Sequence, residues 1–395
     1  MTPVVTQETN AAEAERQALQ QKIDARRSLA DRNRLGQFAT PNALAVDIAR
    51  CVRSFMGRRK AEIRFADPSI GTGSFFSAAL AVFGSDRIKS AIGVELDPTF
   101  CETARSLWGD WGLEVVRDDF TRLVANASCP PSPNLILANP PYVRHHHLER
   151  SDKERLQRLA YRMTGIEVNG LAGLYIYFLL LATAWMEDGG LAAWLIPSEF
   201  MDVNYGGALK QFLTDRVTLI RVHRFDPDNV QFGDALVSSA VLFFRKARST
   251  PDHRVEFTFG GTIAQPAASE AITLARLRGS RKWSTHPRHA KNDRRVSCDG
   301  SGSTLADFFR VQRGIATGST KFFVLDRVDA HSRGLPERYL RPILPSPRHL
   351  KATVIERDEA PIAWSVRKVP TTSFQHGAPA GFGPSVVPRA TRSGR

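Results

Sequence analysis

Short apolar runs alternate with longer amphipathic segments along the first 250 residues of the chain. An apolar run of about four to eight residues between turn residues predicts a buried strand, whereas apolar positions that recur every three to four residues predict a helix. Strands alternating with helices are typical of an α/β protein with a doubly wound sheet. We predict seven strands, the last two forming an antiparallel hairpin, at residues 63–66, 91–94, 113–116, 135–138, 189–196, 217–222 and 240–244.

The same periodicity predicts helices at residues 43–55, 75–83, 171–186 and 205–214. The stretch 171–186 is the longest apolar one, but it is short and interrupted for a membrane span and is predicted to be a buried helix. Residues 1–33 are polar and mixed in charge, without a clear apolar face. They predict a polar helical leader that is frayed or exposed. They also lack the features of a signal peptide, so we expect a cytoplasmic protein.

A glycine-containing turn follows the first predicted strand. Asp67 and Pro68 end the strand, and Gly71 and Gly73 precede the helix at 75–83. Glycines let the backbone approach a ligand closely, and the start of a helix adds positive potential. The spacing differs from the dinucleotide pattern GxGxxG and lacks the Lys-Ser/Thr pair of a phosphate loop, which argues against NAD and ATP. The turn resembles the nucleoside-binding motif of S-adenosylmethionine methyltransferases.

Acidic residues end the next two predicted strands. Glu95 lies at the tip of the second strand, where a fold of this kind binds both ribose hydroxyls, and Asp97 is a second candidate. An acid before Pro98 is also typical of a helix cap. Asp119 ends the third strand, where it could accept a hydrogen bond from an adenine amino group while Phe120 flanks the ring. Because strand ends in an open α/β sheet share one crevice, we expect these side chains to meet there.

The fourth predicted strand ends in the sequence Asn139-Pro140-Pro141-Tyr142. Two prolines fix φ and remove two backbone donors, so the loop is stiff and its carbonyl groups stay free. Asn139 offers an amide oxygen and Tyr142 a flat ring, which together form a rigid clamp for a planar group that carries an NH2. The loop resembles the catalytic loop of methyltransferases that modify exocyclic or amide nitrogens. A simple strand-ending turn would use the same residue types.

A second loop enters a helix before the first predicted strand. Thr40 is expected to cap that helix, with Pro41 at its first position. A loop that enters a helix in this way suits a polar ligand, although an ordinary capped helix explains the segment equally well.

Composition adds a cellular context and a class of partner. The chain has 395 residues and 42% hydrophobic residues, enough for one large domain or two. Its four cysteines lack the paired spacing of zinc ligands, and the adjacent residues 145–147, all histidine, lack the i, i+4 spacing of a two-histidine site, so we predict no metal. Residues 251–395 hold 24 Lys/Arg and 12 Asp/Glu and therefore carry +12 of the net charge of +14. This basic region indicates a polyanionic partner, although it would also serve as a solubilising surface.

From about residue 34 to residue 246, and more loosely to about 347, the ordered series of segments resembles the gamma-class adenine-N6 DNA methyltransferases of bacterial restriction-modification systems. The resemblance implies a methyltransferase fold, S-adenosyl-L-methionine as cofactor and double-stranded DNA as substrate, with a separate restriction endonuclease as a candidate partner. It implies cofactor binding by Thr40, Asp67, Gly71, Gly73, Glu95, Asp119 and Phe120.

The resemblance also implies a mechanism. The Asn139 side-chain oxygen and the Pro140 carbonyl would accept the two hydrogens of the adenine amino group, and the methyl group would move in line to the nitrogen. The adenine must first be flipped out of the duplex, with Tyr142 and one further aromatic ring stacking on it. Phe232 best matches the family position of that ring and Phe225 is the rival, although either can belong to the core.

Beyond the catalytic region, residues 305–347 resemble the start of the family's target-recognition region. Arg313 and Lys321 there, and Arg144 after the catalytic loop, are candidates for DNA contacts. Relatives generally have a longer recognition region, so we expect this one to be truncated. The predicted organisation is a leader at 1–33, a catalytic domain at 34–250, a linker and start of an appendage at 251–304, a partial recognition region at 305–369 and a disordered tail at 370–395.

Other functions share these residues. Adenine methylation of RNA uses the same chemistry, and glutamine-amide methyltransferases acting on release factors share the Asn-Pro-Pro-Tyr loop. Those enzymes normally carry a helical domain before the cofactor domain, whereas the extra piece here follows it and is basic. A catalytically incompetent DNA-binding remnant is a third alternative, against which the intact loop argues.

Overall fold

The computed structural model describes residues 7–28, 31–32, 35–57, 62–124, 132–226, 238–250, 252–287, 324–336, 340–343 and 363–366. The chain forms two compact units, residues 1–297 and 298–395. Within the described residues, no helix is both long enough and apolar enough to cross a membrane.

The first unit is built on a nine-stranded mixed sheet of order β3-β2-β1-β4-β5-β7-β6-β8-β9. Strands β1 to β5 are parallel to one another, and β7 runs antiparallel to both of its neighbours, β5 and β6. The strands are β1 (Ile63–Asp67), β2 (Ile88–Glu95), β3 (Leu113–Arg117), β4 (Leu135–Ala138), β5 (Leu191–Pro197), β6 (Thr218–Arg224), β7 (Ser239–Arg245), β8 (Arg254–Gly261) and β9 (Pro266–Thr273).

Helices cover both faces of this sheet. The helices of the first unit are α1 (Gln7–Ala25), α2 (Asn42–Phe55), α3 (Ser74–Phe83), α4 (Pro98–Trp108), α5 (Phe120–Leu123), α6 (Arg150–Thr164), α7 (Leu174–Trp185), α8 (Gly207–Asp215) and α9 (Leu274–Gly279). Two apolar clusters form the core: one contains buried residues of α2, α3 and α4, and the other contains those of α6, α7 and α8. The doubly wound sheet with its antiparallel hairpin is therefore confirmed.

Burial follows the apolar pattern of the central elements. Every residue of β4 and β5 is buried, as expected for strands covered on both faces. Helix α7 is buried around most of its circumference, which confirms the prediction of a buried helix at 171–186. The order of strands reverses between β1 and β4, because the chain proceeds from β1 to β2 on one side and returns to β4 on the other. Such a switch point places a crevice at the carboxyl ends of the two strands.

Two strands of the first unit were not predicted. Strand β8 runs parallel to β6, and β9 pairs with β8 in antiparallel fashion. They lie in the segment 251–304, which the sequence indicated as a linker and the start of an appendage. The predicted domain boundaries stay predictions.

The second unit is described only in part. It contains a three-stranded sheet of order β10-β12-β11 and the short helix α10. Leu325, Ala330 and Leu340 form a small apolar cluster there. The elements are β10 (Val324–Leu325), α10 (Arg327–Ser332), β11 (Leu340–Ile343) and β12 (Ala363–Val366).

Candidate active site

A cavity of about 300 Å³ opens at the switch point between β1 and β4. The polar strand ends that the sequence singled out meet there: Asp67 at the end of β1, Glu95 at the end of β2, Asp119 after β3 and Asn139 after β4. The predicted convergence of these side chains is thus observed. A volume of this size fits a small organic ligand.

Two loops are joined beside this cavity. The Asn139 side-chain nitrogen donates to the carbonyl oxygen of Phe38 at 2.9 Å and to the Thr40 hydroxyl at 3.1 Å. The Tyr142 backbone N–H donates to the Gly36 carbonyl at 3.1 Å. Gly36 has φ of 64°, and a Cβ at this position would lie 2.3 Å from the Tyr142 nitrogen, so only glycine allows this approach. The segment before α2 therefore fixes the orientation of the Asn139 side chain.

Thr40 does not have the predicted capping role. Pro41 is the N-cap of α2 and no side chain caps the helix. The Thr40 hydroxyl accepts from Asn139 instead, and its carbonyl accepts from the Ser74 hydroxyl at 2.8 Å. The expectation of a simple cap was wrong because a long-range partner occupies the hydroxyl. Thr40 lines the cavity, which is compatible with its predicted contact with a ligand. That contact stays a prediction.

The Asn139 side-chain oxygen is buried and has no hydrogen-bond partner among the described residues. The orientation of the amide follows from its partners: a carbonyl oxygen can only accept, so the NH2 group must face Phe38 and the oxygen must face away. A buried acceptor without a donor costs free energy of about 1–3 kcal/mol. Such an atom in a cavity wall is a binding point for a donor on a ligand.

Tyr142 is 8% exposed and belongs to the apolar core. Its hydroxyl donates to the Leu195 carbonyl at 3.2 Å, and its ring centroid lies 5.7 Å from that of Phe38. Burial raises the pKa of Tyr142 well above its ordinary value, so the hydroxyl stays protonated. Pro141 lines the cavity, whereas Tyr142 is not among the described residues that do. The stacking role of Tyr142 stays a prediction.

Glu95 and Asp97 have different surroundings. The two carboxylate oxygens of Glu95 accept from the backbone N–H groups of Gly71 at 3.0 Å and Asp97 at 2.9 Å, which ties β2 to the glycine turn. Burial raises the pKa of Glu95. Asp97 caps α4 by accepting from the N–H groups of Thr99 and Phe100, and it pairs with Arg27 at 2.7 Å. The alternative that Asp97 is a helix cap is confirmed, and Glu95 lines the cavity.

The glycine turn contains residues of two kinds. Gly71 has φ of 55° and lines the cavity, and a Cβ there would meet open space. Gly73 has φ of 91°, and a Cβ there would lie 2.3 Å from the buried Trp108 ring nitrogen. Its role in this structure is therefore close packing, and it is not among the described cavity residues. Asp67 is 2% exposed, and burial, together with the nearby charge of Glu95, raises its pKa to about 8.

Asp119 and Phe120 lie at the end of β3. The Asp119 carboxylate caps α5, with one oxygen accepting from the Thr121 N–H at 2.9 Å and the Thr121 hydroxyl at 2.7 Å. Its other oxygen lies 3.8 Å from Arg155. Phe120 packs against Phe178, with ring centroids 5.1 Å apart, and both residues line the cavity. A flat ligand could therefore contact Phe120.

The hydrophobic pattern did not predict that side chains of α1 line the cavity. This helix was predicted, but it is neither frayed nor fully exposed, because it packs against α3 and α4. Arg16, Gln20 and Asp24 line the cavity. These positions are spaced i, i+4 and i+8, which puts them on one helix face. A polar stripe at that spacing was the available signal, and apolar periodicity does not detect it.

The remaining candidates have varied placements. Phe232, Arg313, Lys321 and the tail 370–395 lie outside the described residues. Phe225 is 4% exposed and packs edge-on against His223, as expected for a core residue. Arg144 is exposed, and residues 145–147 form a short 3-10 helix after the Asn139–Tyr142 loop.

The chain is similar in sequence to known proteins named methylases or methyltransferases. Residues 134–231 match the model of the Eco57I restriction-modification methylase family. The chain is 26% identical over 346 residues to the type II methyltransferase M.XamI of Xanthomonas campestris pv. amaranthicola, covering 86% of this chain and 62% of that protein. It is 24% identical over 345 residues to M.AccI of Acinetobacter calcoaceticus, covering 84% and 61%. The chain thus spans about three fifths of the length of these curated relatives.

One solved structure shows the fold. The type IIG restriction endonuclease BpuSI superposes with a TM-score of 0.53 at 17% identity, covering 86% of this chain and 44% of that one. At this identity, the likeness shows a shared fold.

Proposed function

We infer that this chain is the catalytic part of a restriction-modification DNA methyltransferase, related to the Eco57I methylase family, that uses S-adenosyl-L-methionine to methylate N6 of a flipped adenine. The proposal rests on similarity to type II methyltransferases along most of the chain and on the chemistry of the cavity. The chain covers only part of these relatives, so substrate and specificity are themselves proposed.

The observation that carries the proposal is the orientation of Asn139. Its NH2 group is held by Phe38 and Thr40, and its oxygen is buried without a donor. An exocyclic amino group would supply that donor. When the oxygen accepts one amino hydrogen, it stabilises positive charge that develops on the nitrogen during methylation. Because the amide is held before the substrate arrives, orienting the substrate costs little reorganisation.

The rest of the catalytic loop supports the same role. Pro140 and Pro141 stiffen the loop, and the Pro140 carbonyl is proposed as the second acceptor for the amino group. The main-chain carbonyl oxygen of Asn139 already accepts a hydrogen bond from the Ser69 hydroxyl at 3.1 Å, so it is not the second acceptor. We propose that Tyr142 and Phe232 stack on the flipped base, with Tyr142 fixed by its hydrogen bond to Leu195.

The cavity also fits the proposed cofactor. S-adenosyl-L-methionine, when bound, supplies an electrophilic methyl group on a sulfonium centre. Glu95 is proposed to bind the ribose, and Asp119 and Phe120 are proposed to bind the adenine. Gly71 and Thr40 form part of the cavity wall and are proposed to contact the ligand there. The cofactor carries a net positive charge. Five acids lining the cavity suit that charge, namely Asp24, Glu95, Asp118, Asp119 and Asp152, whereas Asp67, with its pKa raised to about 8, is mostly protonated at neutral pH.

Double-stranded DNA is the proposed substrate and a separate restriction endonuclease a proposed partner. The net charge of +12 in residues 251–395 favours a polyanion. Arg144 is exposed beside the catalytic loop and is proposed to contact a phosphate, as are Arg313 and Lys321.

A transfer assay with three substrates tests the proposal. The purified protein is incubated with methyl-labelled donor and, separately, unmethylated bacterial DNA, bacterial RNA and release factor. We expect label in DNA only, with Asn139→Ala reducing the rate by about 100-fold or more, since one transition-state acceptor is worth about 3 kcal/mol. Asn204→Ala, in the 3-10 turn before α8, serves as a matched asparagine control.

Other results would assign a different function. Label in RNA or in the release factor would replace DNA as the substrate. Donor binding without transfer to any of the three substrates would favour the DNA-binding remnant. Equal rates for Asn139→Ala and Asn204→Ala would refute the catalytic role of Asn139.

A further inference from the structure

Helix α1 places a buried arginine over the glycine turn. The Arg16 side chain is 3% exposed and lines the cavity. It donates from one terminal nitrogen to the Thr72 hydroxyl at 3.1 Å, and the Thr72 hydroxyl in turn donates to Gln20 at 2.8 Å. Thr72 lies between Gly71 and Gly73, so the guanidinium is held at the start of α3.

Glu13 fixes the orientation of this guanidinium. Its two carboxylate oxygens accept from the Arg16 Nε at 2.8 Å and from the second terminal nitrogen at 2.7 Å. Burial alone would raise the pKa of Glu13, but the hydrogen bonds and charge of Arg16 lower it, so the pair is ionised. A guanidinium has five N–H groups. Three donate to Glu13 and Thr72, which leaves two N–H groups without an acceptor among the described residues.

The charge distribution in the cavity limits where an anionic group can bind. Among the described residues that line it, six are acidic and only Arg16 and Arg155 are permanently cationic. Arg155 is at the β3 end, where it contacts Asp119 and Asp152 and donates to the Thr121 hydroxyl at 3.0 Å. A carboxylate at the opposite end, beside the glycine turn, therefore has Arg16 as its available cation.

We propose that Arg16 binds the carboxylate of the amino-acid end of the cofactor and so selects ligands that carry it. The inference rests on the proposed cofactor. With the ribose at Glu95 and the adenine at Asp119, the amino-acid end extends over β1, towards the turn where Arg16 is held. Gln20 and Glu13 act as positioning residues, because they orient Thr72 and Arg16.

The test compares two ligands that differ in this one group. S-adenosylmethionine and decarboxylated S-adenosylmethionine share the nucleoside, the sulfonium and the amine. Their dissociation constants are measured by titration calorimetry with the full chain and no DNA. We expect the wild type to bind the carboxylated ligand more tightly by about 10- to 100-fold, as a charge-assisted contact predicts. In Arg16→Gln that ratio falls to near one, while the decarboxylated ligand binds as before.

Two further variants keep the test decisive. Arg16→Lys retains the charge but not the planar fork and should give an intermediate ratio. Arg155→Gln removes the other cavity arginine and should leave the ratio unchanged. Circular dichroism melting curves show whether each variant is folded, and an unfolded Arg16→Gln leaves Arg16→Lys to decide.

Each outcome has one meaning. An unchanged ratio in the Arg16 variants, or an equal loss of affinity for both ligands, overturns the inference and makes Arg16 structural. Absence of binding of either ligand to the wild type overturns both the inference and the proposed cofactor. The expected ratios without methyl transfer to DNA would support the role of Arg16 while refuting the proposed substrate.

Discussion

The two glycines of the turn after β1 provide a sharp test, because the same substitution should have different consequences at each. Gly71 and Gly73 both have positive φ, at 55° and 91°. An alanine in that region costs about 1–2 kcal/mol. The added methyl group meets nothing within 4 Å at Gly71, whereas at Gly73 it would lie 2.3 Å from the ring nitrogen of Trp108.

The expected magnitude at Gly73 follows from the packing of Trp108. This ring is 0% exposed, and its nitrogen donates to the Thr72 carbonyl at 2.8 Å. The ring must move to admit a methyl group, and overpacking of a core adds about 1–3 kcal/mol. Gly73→Ala should therefore lower the free energy of unfolding by about 2–5 kcal/mol, and Gly71→Ala by about 1–2 kcal/mol.

Urea unfolding followed by tryptophan fluorescence measures these differences, and calorimetric titration with S-adenosylhomocysteine measures ligand affinity. Among folded molecules, Gly71→Ala should lower the affinity for S-adenosylhomocysteine more than Gly73→Ala does, because of the two glycines only Gly71 lines the cavity. Equal stabilities for the two variants would refute the packing argument. Strong loss of affinity in a stably folded Gly73→Ala would support the predicted role of Gly73 in cofactor binding.

Three further predictions concern single side chains. Folding raises the pKa of Asp67 from about 4 to about 8. The contribution of Asp67 to the free energy of unfolding is therefore fully present below about pH 4 and is lost as the pH rises towards 8. Asp67→Asn should flatten that decline by up to about 1.4 kcal/mol per pH unit, measured by urea unfolding from pH 5 to 8; parallel profiles would contradict this. Asp97→Ala should lower the free energy of unfolding by about 1–2 kcal/mol through loss of a helix cap, with little change in S-adenosylhomocysteine affinity. Glu95→Gln should instead weaken that affinity by about 10-fold or more. Urea unfolding and calorimetric titration measure the two effects. Tyr142→Phe should retain methylation and lose about 1 kcal/mol of stability, whereas Tyr142→Ala should abolish methylation.

The central sheet could be predicted because its signals are local. Buried strands give short apolar runs, and a parallel sheet places their carboxyl ends together. Asp67, Glu95, Asp119 and Asn139 therefore meet at one cavity as the sequence indicated. Strand β9 escaped prediction because it begins with Pro266 and is poor in β-branched residues, as an edge strand can be.

The features that were missed depend on distant partners. Thr40 lies just before the N-terminus of α2, so capping is its expected role. Its hydroxyl instead accepts a hydrogen bond from the side chain of Asn139, 99 positions away. Arg16 lies on a helix without an apolar face, and only its contact with Thr72, 56 positions away, reveals a buried site. Gly73 fits a ligand-binding motif, and only the position of Trp108 shows that packing requires it. Long-range pairs of this kind are not encoded in periodicity or motif spacing.

The proposed reaction requires the side-chain oxygen of Asn139 to accept a hydrogen bond from the amino group of adenine. The most direct measurement is the identity of the methylated base in DNA from a methylation-deficient bacterial strain that expresses the chain, determined by nucleoside mass spectrometry. We predict N6-methyladenine with the wild type and none with Asn139→Ala. Methylation at N4 of cytosine would contradict adenine as the substrate, and unchanged N6-methyladenine in the Asn139 variant would contradict the proposed role of Asn139.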